Sequence, residues 1–202
     1  MKITKPLQHI SCRIPEQEIP CWFFEDVDLR EFDPTKINWV SMKGKNILTD
    51  SDDYNKRNVA SRLENINNSE FNYFGPIVQD IVKEIRDHHP SKGLSLDWPM
   101  NTWSNDLLEG NPEEVQYDLK KDSKGFCMGH HLDNRNTKWT MIMNLKDHIS
   151  STVIHIDQED IKIPTSKGSG VFYFNHDLML HSVGPIEDEE RFTLFWMNII
   201  GT

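Results

Sequence analysis

His131 and Asp133 stand two residues apart in the run Gly129-His130-His131-Leu132-Asp133-Asn134. On an extended backbone, side chains at that spacing leave the same face, so an imidazole and a carboxylate project together. His181, ahead of Ser182 and Val183, offers a second imidazole. Two imidazoles and one carboxylate occupy one face of an octahedron and leave the opposite face open. That is the ligand set of a non-haem iron(II) centre that takes a co-substrate and dioxygen. Each fragment is weak alone. A His-x-Asp pair arises by chance and reads equally as a solvated corner, and His181 at strand period with Val183 reads equally as a satisfied core histidine.

A second feature lies just beyond. Arg191 follows His181 by ten residues, across the acidic run Glu187–Glu190. If that run is a hairpin turn, the two side chains face one cavity. A guanidinium there grips a carboxylate through two parallel hydrogen bonds. Thr193 is two further on and shares its face, adding a hydroxyl donor. His130 alternates away from Asp133 and reads as an outward or supporting residue. His155 and His176 read as structural or exposed. Ser166-Lys167-Gly168-Ser169-Gly170 lacks the full phosphate-loop pattern and a following helix, so it reads as a β-turn. Trp103, Tyr117 and Trp139 are candidates for a substrate mouth, although aromatic residues so placed more often build core.

These groups need a frame. Short β-prone runs at 114–120, 138–145, 151–156, 170–174, 180–184 and 191–199, separated by turn chemistry, indicate a sandwich or barrel. A double-sheet jelly roll with N-terminal helices beside it fits best. The clearest helix is 76–88, where Ile77, Val78, Ile81, Val82 and Ile85 keep helical spacing, with Pro76 as its start and Pro90 beyond its end. It reads as a supporting helix. Residues 1–45 read as edge strands and loops, 46–69 as a polar loop leading into a weak helix, and 91–112 as connection.

Taken together, His131-Leu132-Asp133, His181 and Arg191-Phe192-Thr193 resemble the motif of the 2-oxoglutarate/iron(II) dioxygenase superfamily, with its prolyl-hydroxylase-like branch in view. The 50-residue interval between the two histidines suits that family, as does the strand from Trp139 to Leu145 and the turn at Lys146-Asp147. The resemblance covers roughly residues 114–200. It implies a distorted double-stranded β-helix, or cupin-like jelly roll, with Fe(II) held by His131, Asp133 and His181. It also implies 2-oxoglutarate as co-substrate, chelating the metal through its keto-acid end and pairing its far carboxylate with Arg191 and Thr193. Reaction with O2 would release succinate and carbon dioxide and oxidise a substrate by hydroxylation. Aspartate at 133 favours hydroxylation over halogenation, because the family's halogenases lack that ligand. Many relatives carry a tyrosine against the co-substrate in the strand after His-x-Asp. Here that position is Asn144, with Thr140 nearby, so these two are the expected further co-substrate contacts. The Gly-Gly-Glu-like segment of those relatives is replaced by Asp147-His148-Ile149-Ser150-Ser151-Thr152.

The remaining properties bound the partners. The 202 residues suit one domain, with 1–113 as supporting elements and 114–202 as the catalytic β-helix core. A net charge of −10 argues against duplex nucleic acid as a partner. Three cysteines without CxxC spacing argue against a disulfide framework and for the cytoplasm. No apolar run is long enough for a bilayer, and the N-terminus lacks the apolar core of a secretory signal. The expected substrate is a peptidyl residue or a free amino acid. A nucleobase-directed oxygenase and a cupin-like metal-binding domain without turnover are the alternatives. The carboxylate clamp argues against the second of these. Substrate identity and oligomeric state are not encoded in any motif here.

Overall fold

The structure is a computed structural model that describes residues 1–4, 7–11, 14–29, 32–41, 56–60, 69–88, 115–133, 137–156, 159–175 and 179–199. In chain order its elements begin with strands β1 (Lys2–Ile3), β2 (Leu7–Ser11), β3 (Ile14–Ile19), β4 (Cys21–Glu25), β5 (Val40–Ser41) and β6 (Arg57–Ala60). Helix α1 (Ser69–His88) follows, and then β7 (Val115–Ser123), β8 (Met128–His131), β9 (Thr137–Asn144), β10 (Thr152–Ile156) and β11 (Glu159–Lys162). The chain closes with β12 (Gly170–Phe174), β13 (His181–Val183) and β14 (Glu190–Ile199).

These strands form an eight-stranded sheet ordered β1-β4-β12-β9-β14-β7-β6-β5 and a four-stranded sheet ordered β11-β10-β13-β8. Strands β2 and β3 pair as a separate hairpin. The two larger sheets face each other as a double-stranded β-helix, the jelly roll expected from the late β-rich half.

The alternation of side chains along the central strands builds two cores. Phe192, Leu194 and Trp196 of β14, with Trp139, Met141 and Met143 of β9, pack on one face of the large sheet against Phe74, Val78, Ile81, Val82 and Ile85 of α1. On the opposite face Ile142, Val171 and Tyr173 meet Ile154 and Ile156 of β10 between the sheets. The same face carries Arg191 and Thr193, so strand period alone sends one set of side chains to the helix and the other into the sandwich.

The expected helix at 76–88 begins a full turn or more earlier, at Ser69, and Pro76 lies inside it. Buried Phe74 and half-buried Tyr73 extend the apolar stripe upstream, and Pro76 sits on the exposed side, where its missing N–H is least costly. Among the described residues α1 is the only α-helix, where more than one had been expected. Within 46–69, residues 57–60 form β6 beside β7 rather than a loop, and residues 91–112 lie outside those described. Tyr117 and Trp139 are buried in the core under the helix, not at a mouth, and Trp103 lies outside the described residues.

Ser166–Gly170 is a turn, as expected. Gly168 has φ +74°, and a Cβ there would meet the Val27 carbonyl oxygen at 2.1 Å. Glycine satisfies both the left-handed backbone and the close approach. Neither Cys21 nor Cys127 is in a disulfide.

Candidate metal centre and adjoining anion pocket

His131 ends β8 and His181 opens β13, and the two are cross-strand partners in the small sheet. Their rings lie 4.2 Å apart, centroid to centroid. Asp133 is two residues past His131, just after the strand ends. One ligand-capable atom from each of His131, Asp133 and His181 lies within 4.8 Å of the other two. The spacing between His181 Nε2 and Asp133 Oδ1 is 3.8 Å.

Each side chain is oriented by a neighbour. His131 Nδ1 donates to the Gly129 carbonyl at 2.8 Å, and His181 Nδ1 donates to the Met179 carbonyl at 2.9 Å. A carbonyl only accepts, so both Nδ1 atoms carry the proton and both Nε2 atoms present a lone pair. Burial, reinforced by His131, holds His181 below the usual histidine range against the pull of Asp133. Its Nε2 is buried without a hydrogen-bond partner. Asp133 Oδ2 accepts from Thr140 at 2.6 Å and from Tyr173 at 2.7 Å. Burial and the neighbouring carboxylate push the Tyr173 phenol well above its ordinary pKa, so it stays a donor. With Oδ2 doubly engaged, Oδ1 is the oxygen turned toward His181. Two bare imidazole nitrogens and one carboxylate oxygen converge, and a buried lone pair with no donor is otherwise a cost. The donor set fits a divalent transition metal.

A cavity runs from His181 to Arg191 and Thr193, with Lys120, Thr152 and Arg57 also on its wall. Arg191 is 3% exposed. One of its terminal nitrogens donates to Thr152 Oγ1 at 2.7 Å, while its Nε and Nη1 are buried without partners. Burial, then Arg57, lowers its pKa to about 10, so it remains a cation at neutral pH. Arg57 is occupied differently, in a paired contact with Asp122 at 2.6 and 2.9 Å. Lys120 lies 3.5 Å over the Phe195 ring, and burial followed by Arg57 lowers its pKa to about 8. Asp122 also lines the wall but is taken up by Arg57, so Lys120 and Arg191 leave it cationic. Arg191 Nη2 has two protons and gives one to Thr152; the other, with the unpartnered Nε or Nη1 beside it, makes the fork that suits a carboxylate.

The expected residues thus divide. His131, Asp133 and His181 come together, Thr140 joins them through Asp133, and Arg191 and Thr193 share the adjoining cavity. Asn144 does not join them. Its amide nitrogen donates to Pro164 O at 2.6 Å and Ser169 Oγ at 3.1 Å, and its oxygen accepts from His148 Nε2 at 2.7 Å. The route by which Arg191 reaches the site also differs from expectation. β13 and β14 are not a hairpin but lie in opposite sheets, so His181 and Arg191 face each other across the sandwich. The acidic run between them is partly anchored, with Asp188 accepting from the Ile149 and Ser150 amides at 2.9 Å each.

Sequence reading missed Tyr173, Lys120, Arg57 and Asp122. A signal existed for Lys120 and Asp122: alternation from apolar Tyr117 and Leu119 puts Asp118, Lys120 and Asp122 on the other face of β7, an unusual set for a central strand. His130 is exposed, as expected, His155 is half-buried, and His176 lies outside the described residues.

No family model matches the sequence, and no curated protein matches it. Among solved structures, the chain is similar to a prolyl hydroxylase from Trichoplax adhaerens, solved in complex with a hypoxia inducible factor oxygen degradation domain peptide fragment. That pair shares 11% identity over 71% of this chain and 62% of the other, with a TM-score of 0.50. A prolyl-4-hydroxylase from Pseudomonas putida shares 11% identity over 72% of this chain and 73% of its own, at TM-score 0.49. An oxidoreductase of the 2OG-Fe(II) oxygenase family from Burkholderia pseudomallei shares 13% over 82% of this chain and 73% of its own, at 0.45. The chain spans less than two thirds of the Trichoplax enzyme. At 11% identity the likeness to the Trichoplax enzyme shows the shared double-stranded β-helix fold.

Proposed function

We propose that this chain is an iron(II)- and 2-oxoglutarate-dependent oxygenase that hydroxylates a small molecule or peptide, with a peptidyl residue or a free amino acid as the substrate class. The observation that carries the reading is one cavity lined both by His181, whose buried Nε2 has no partner, and by Arg191, whose Nε and Nη1 have none. A metal-ligating face at one end and a carboxylate-binding fork at the other suit a keto acid that chelates with one end and is clamped by the other. The prolyl-hydroxylase fold, in a relative solved with a peptide, supports the peptide side of this substrate class.

His131 Nε2, Asp133 Oδ1 and His181 Nε2 would hold the metal. Thr140 and Tyr173 fix Asp133 so that one oxygen is presented toward the two histidines. Arg191 and Thr193 bind the far carboxylate, and Lys120 strengthens the positive field of that end. Ile142, Val183 and Phe195 line the same cavity and exclude water. Asn144 acts at one remove, bracing the Pro164–Ser169 loop and His148. With Fe(II) held there, 2-oxoglutarate and O2 would supply oxidative decarboxylation to succinate and carbon dioxide and an oxidant able to take hydrogen from substrate. Residues 1–113 would support this centre and 114–202 would form its core within one domain.

The test is oxygen-dependent succinate release from 2-oxoglutarate by iron-loaded protein across a panel of peptides and free amino acids. Release stimulated by one member, and abolished by Asp133→Ala, is the expected result. Metal binding without 2-oxoglutarate binding would replace this reading by a cupin-like metal-binding domain.

A further inference from the structure

The small sheet has a second polar cluster on the face turned away from the metal ligands. His155 Nδ1 lies 2.7 Å from Asp160 Oδ1, and His155 Nε2 lies 2.7 Å from Ser182 Oγ. A carboxylate only accepts, so Nδ1 donates to Asp160 and Nε2 accepts from the Ser182 hydroxyl. The ring of His130 lies 4.1 Å from that of His155. The His155 backbone amide also donates to the Leu180 carbonyl at 2.8 Å.

The order Ser182, His155, Asp160 is that of a hydrolytic triad. The cluster sits on an outer sheet face, however, where His181 and Val183 turn inward on either side of Ser182 and the neighbouring strands pair with β13 on both edges. The cavity lined by His181 and Val183 lies on the opposite face, and strand pairing takes up the backbone amides that a tetrahedral oxyanion would need. The placement argues for a different role.

The four residues come from all four strands of the sheet: His130 from β8, Ser182 from β13, His155 from β10 and Asp160 from β11. β8 and β10 are not neighbours, because β13 runs between them. The rings of His130 and His155 therefore meet above β13, over Ser182, whose small side chain leaves them room. His130 directly precedes His131, and Ser182 directly follows His181. β13 is only three residues long, and its register to β8 shifts between His181 and Val183. A short strand with a broken register does little by itself to fix its one inward imidazole.

We propose that His155 is a positioning residue for the metal centre, clasping β13 between β10 and β8 from behind and so setting the spacing of His131 and His181. The inference rests on the metal-centre reading given above. Hydrogen-bonded supports of ligands typically change metal affinity by ~10–100-fold when removed. A clasp acting through the backbone belongs at the lower end of that range.

The experiment is anaerobic titration of metal-free protein with Mn(II) and Fe(II) by calorimetry, beside thermal unfolding of the same metal-free samples. For His155→Ala the expected result is a Kd raised ~10-fold. His155→Gln, whose amide can donate to Asp160 and accept from Ser182, should recover most of that loss. Ser182→Val, which wedges the two rings apart and removes the hydroxyl, should match His155→Ala. If His155→Ala does not fold, Asp160→Asn at the exposed end of the chain of bonds should still raise Kd by a few-fold. An unchanged Kd in folded His155→Ala, with only the unfolding temperature lowered, would overturn the proposal and leave a sheet brace. Absence of metal binding by the wild-type protein would overturn the metal-centre reading itself, and this inference with it.

Discussion

At the scale of residues, the candidate metal centre is held in place by groups that are not themselves candidate ligands. Asp133 has both hydroxyl donors on one oxygen, Thr140 at 2.6 Å and Tyr173 at 2.7 Å. Removing one hydroxyl frees Oδ2 to rotate or to chelate. We expect Thr140→Val and Tyr173→Phe each to weaken Fe(II) or Mn(II) binding by ~10-fold, measured by titration against a chelator of known affinity. Unchanged affinity in both variants would mean that Asp133 is held by the backbone alone. The candidate ligands and clamp residues were legible in the sequence because His-x-Asp, a distant His and Arg-x-Thr carry their chemistry in residue identity and strand period. Tyr173 was not legible. It lies in the apolar run Val171–Phe174, and only the pairing of β12 with β9, which sets Tyr173 opposite Thr140, places its hydroxyl at Asp133. Asn144 shows the converse: its position in β9 resembled a co-substrate contact, but the loop carrying Pro164 and Ser169 takes its amide.

At the scale of elements, two features hold the strands that carry the site. The first is the Arg57–Asp122 pair, buried at 6% and 1% side-chain exposure, which ties β6 to β7 on the wall of the cavity. Asp122→Ala would leave Arg57 buried without its partner. It should lower stability by about 3–5 kcal/mol, whereas replacing both by apolar residues of similar volume should be far milder. Urea denaturation of the single and double variants separates these outcomes, and equal losses would show that packing rather than charge is what matters. The second is Gly170, where a Cβ would come within 1.9 Å of the Ile142 carbonyl oxygen. Backbone cannot yield as a flexible side chain can, so Gly170→Ala should part β12 from β9 and fail to give a cooperative thermal transition. A normal transition would show that the two strands can separate cheaply. The positions of β7, β9, β10, β12, β13 and β14 were legible to within a few residues from alternation and turn chemistry, whereas the four-residue strands β8 and β11 were not. The partnership of β13 and β14 was not. Adjacent runs joined by an acidic turn look like a hairpin, and only closure of the two sheets sends them to opposite sides. The start of α1 was misplaced for a similar reason, since Pro76 marks a helix start locally while the burial of Phe74 extends the helix past it.

At the scale of the whole molecule, folding encloses ionisable groups that an unfolded chain would hydrate, and this makes stability depend on pH. Burial, then Arg191, pushes the buried His148 imidazole down to about 4. An unfolded chain titrates its histidine near ~6.5, so between those values the unfolded state binds more protons. The contribution is thus complete above pH ~6.5 and is lost as pH falls toward about 4, amounting to at most ~3 kcal/mol. Denaturation midpoints of the metal-free protein should fall over that window, and His148→Gln should flatten the fall; identical pH profiles would remove His148 from the account. Fold class was the most legible property at this scale, because many short alternating strands can close only as a sandwich or barrel. His181 and Arg191 line one cavity, and anaerobic calorimetry of Fe(II) followed by 2-oxoglutarate tests most directly whether it holds both. Wild-type protein should bind both, His131→Ala should lose the metal, and Arg191→Met should keep the metal while losing 2-oxoglutarate by ~30-fold or more. Metal and 2-oxoglutarate binding left as strong in both variants as in the wild type would contradict it.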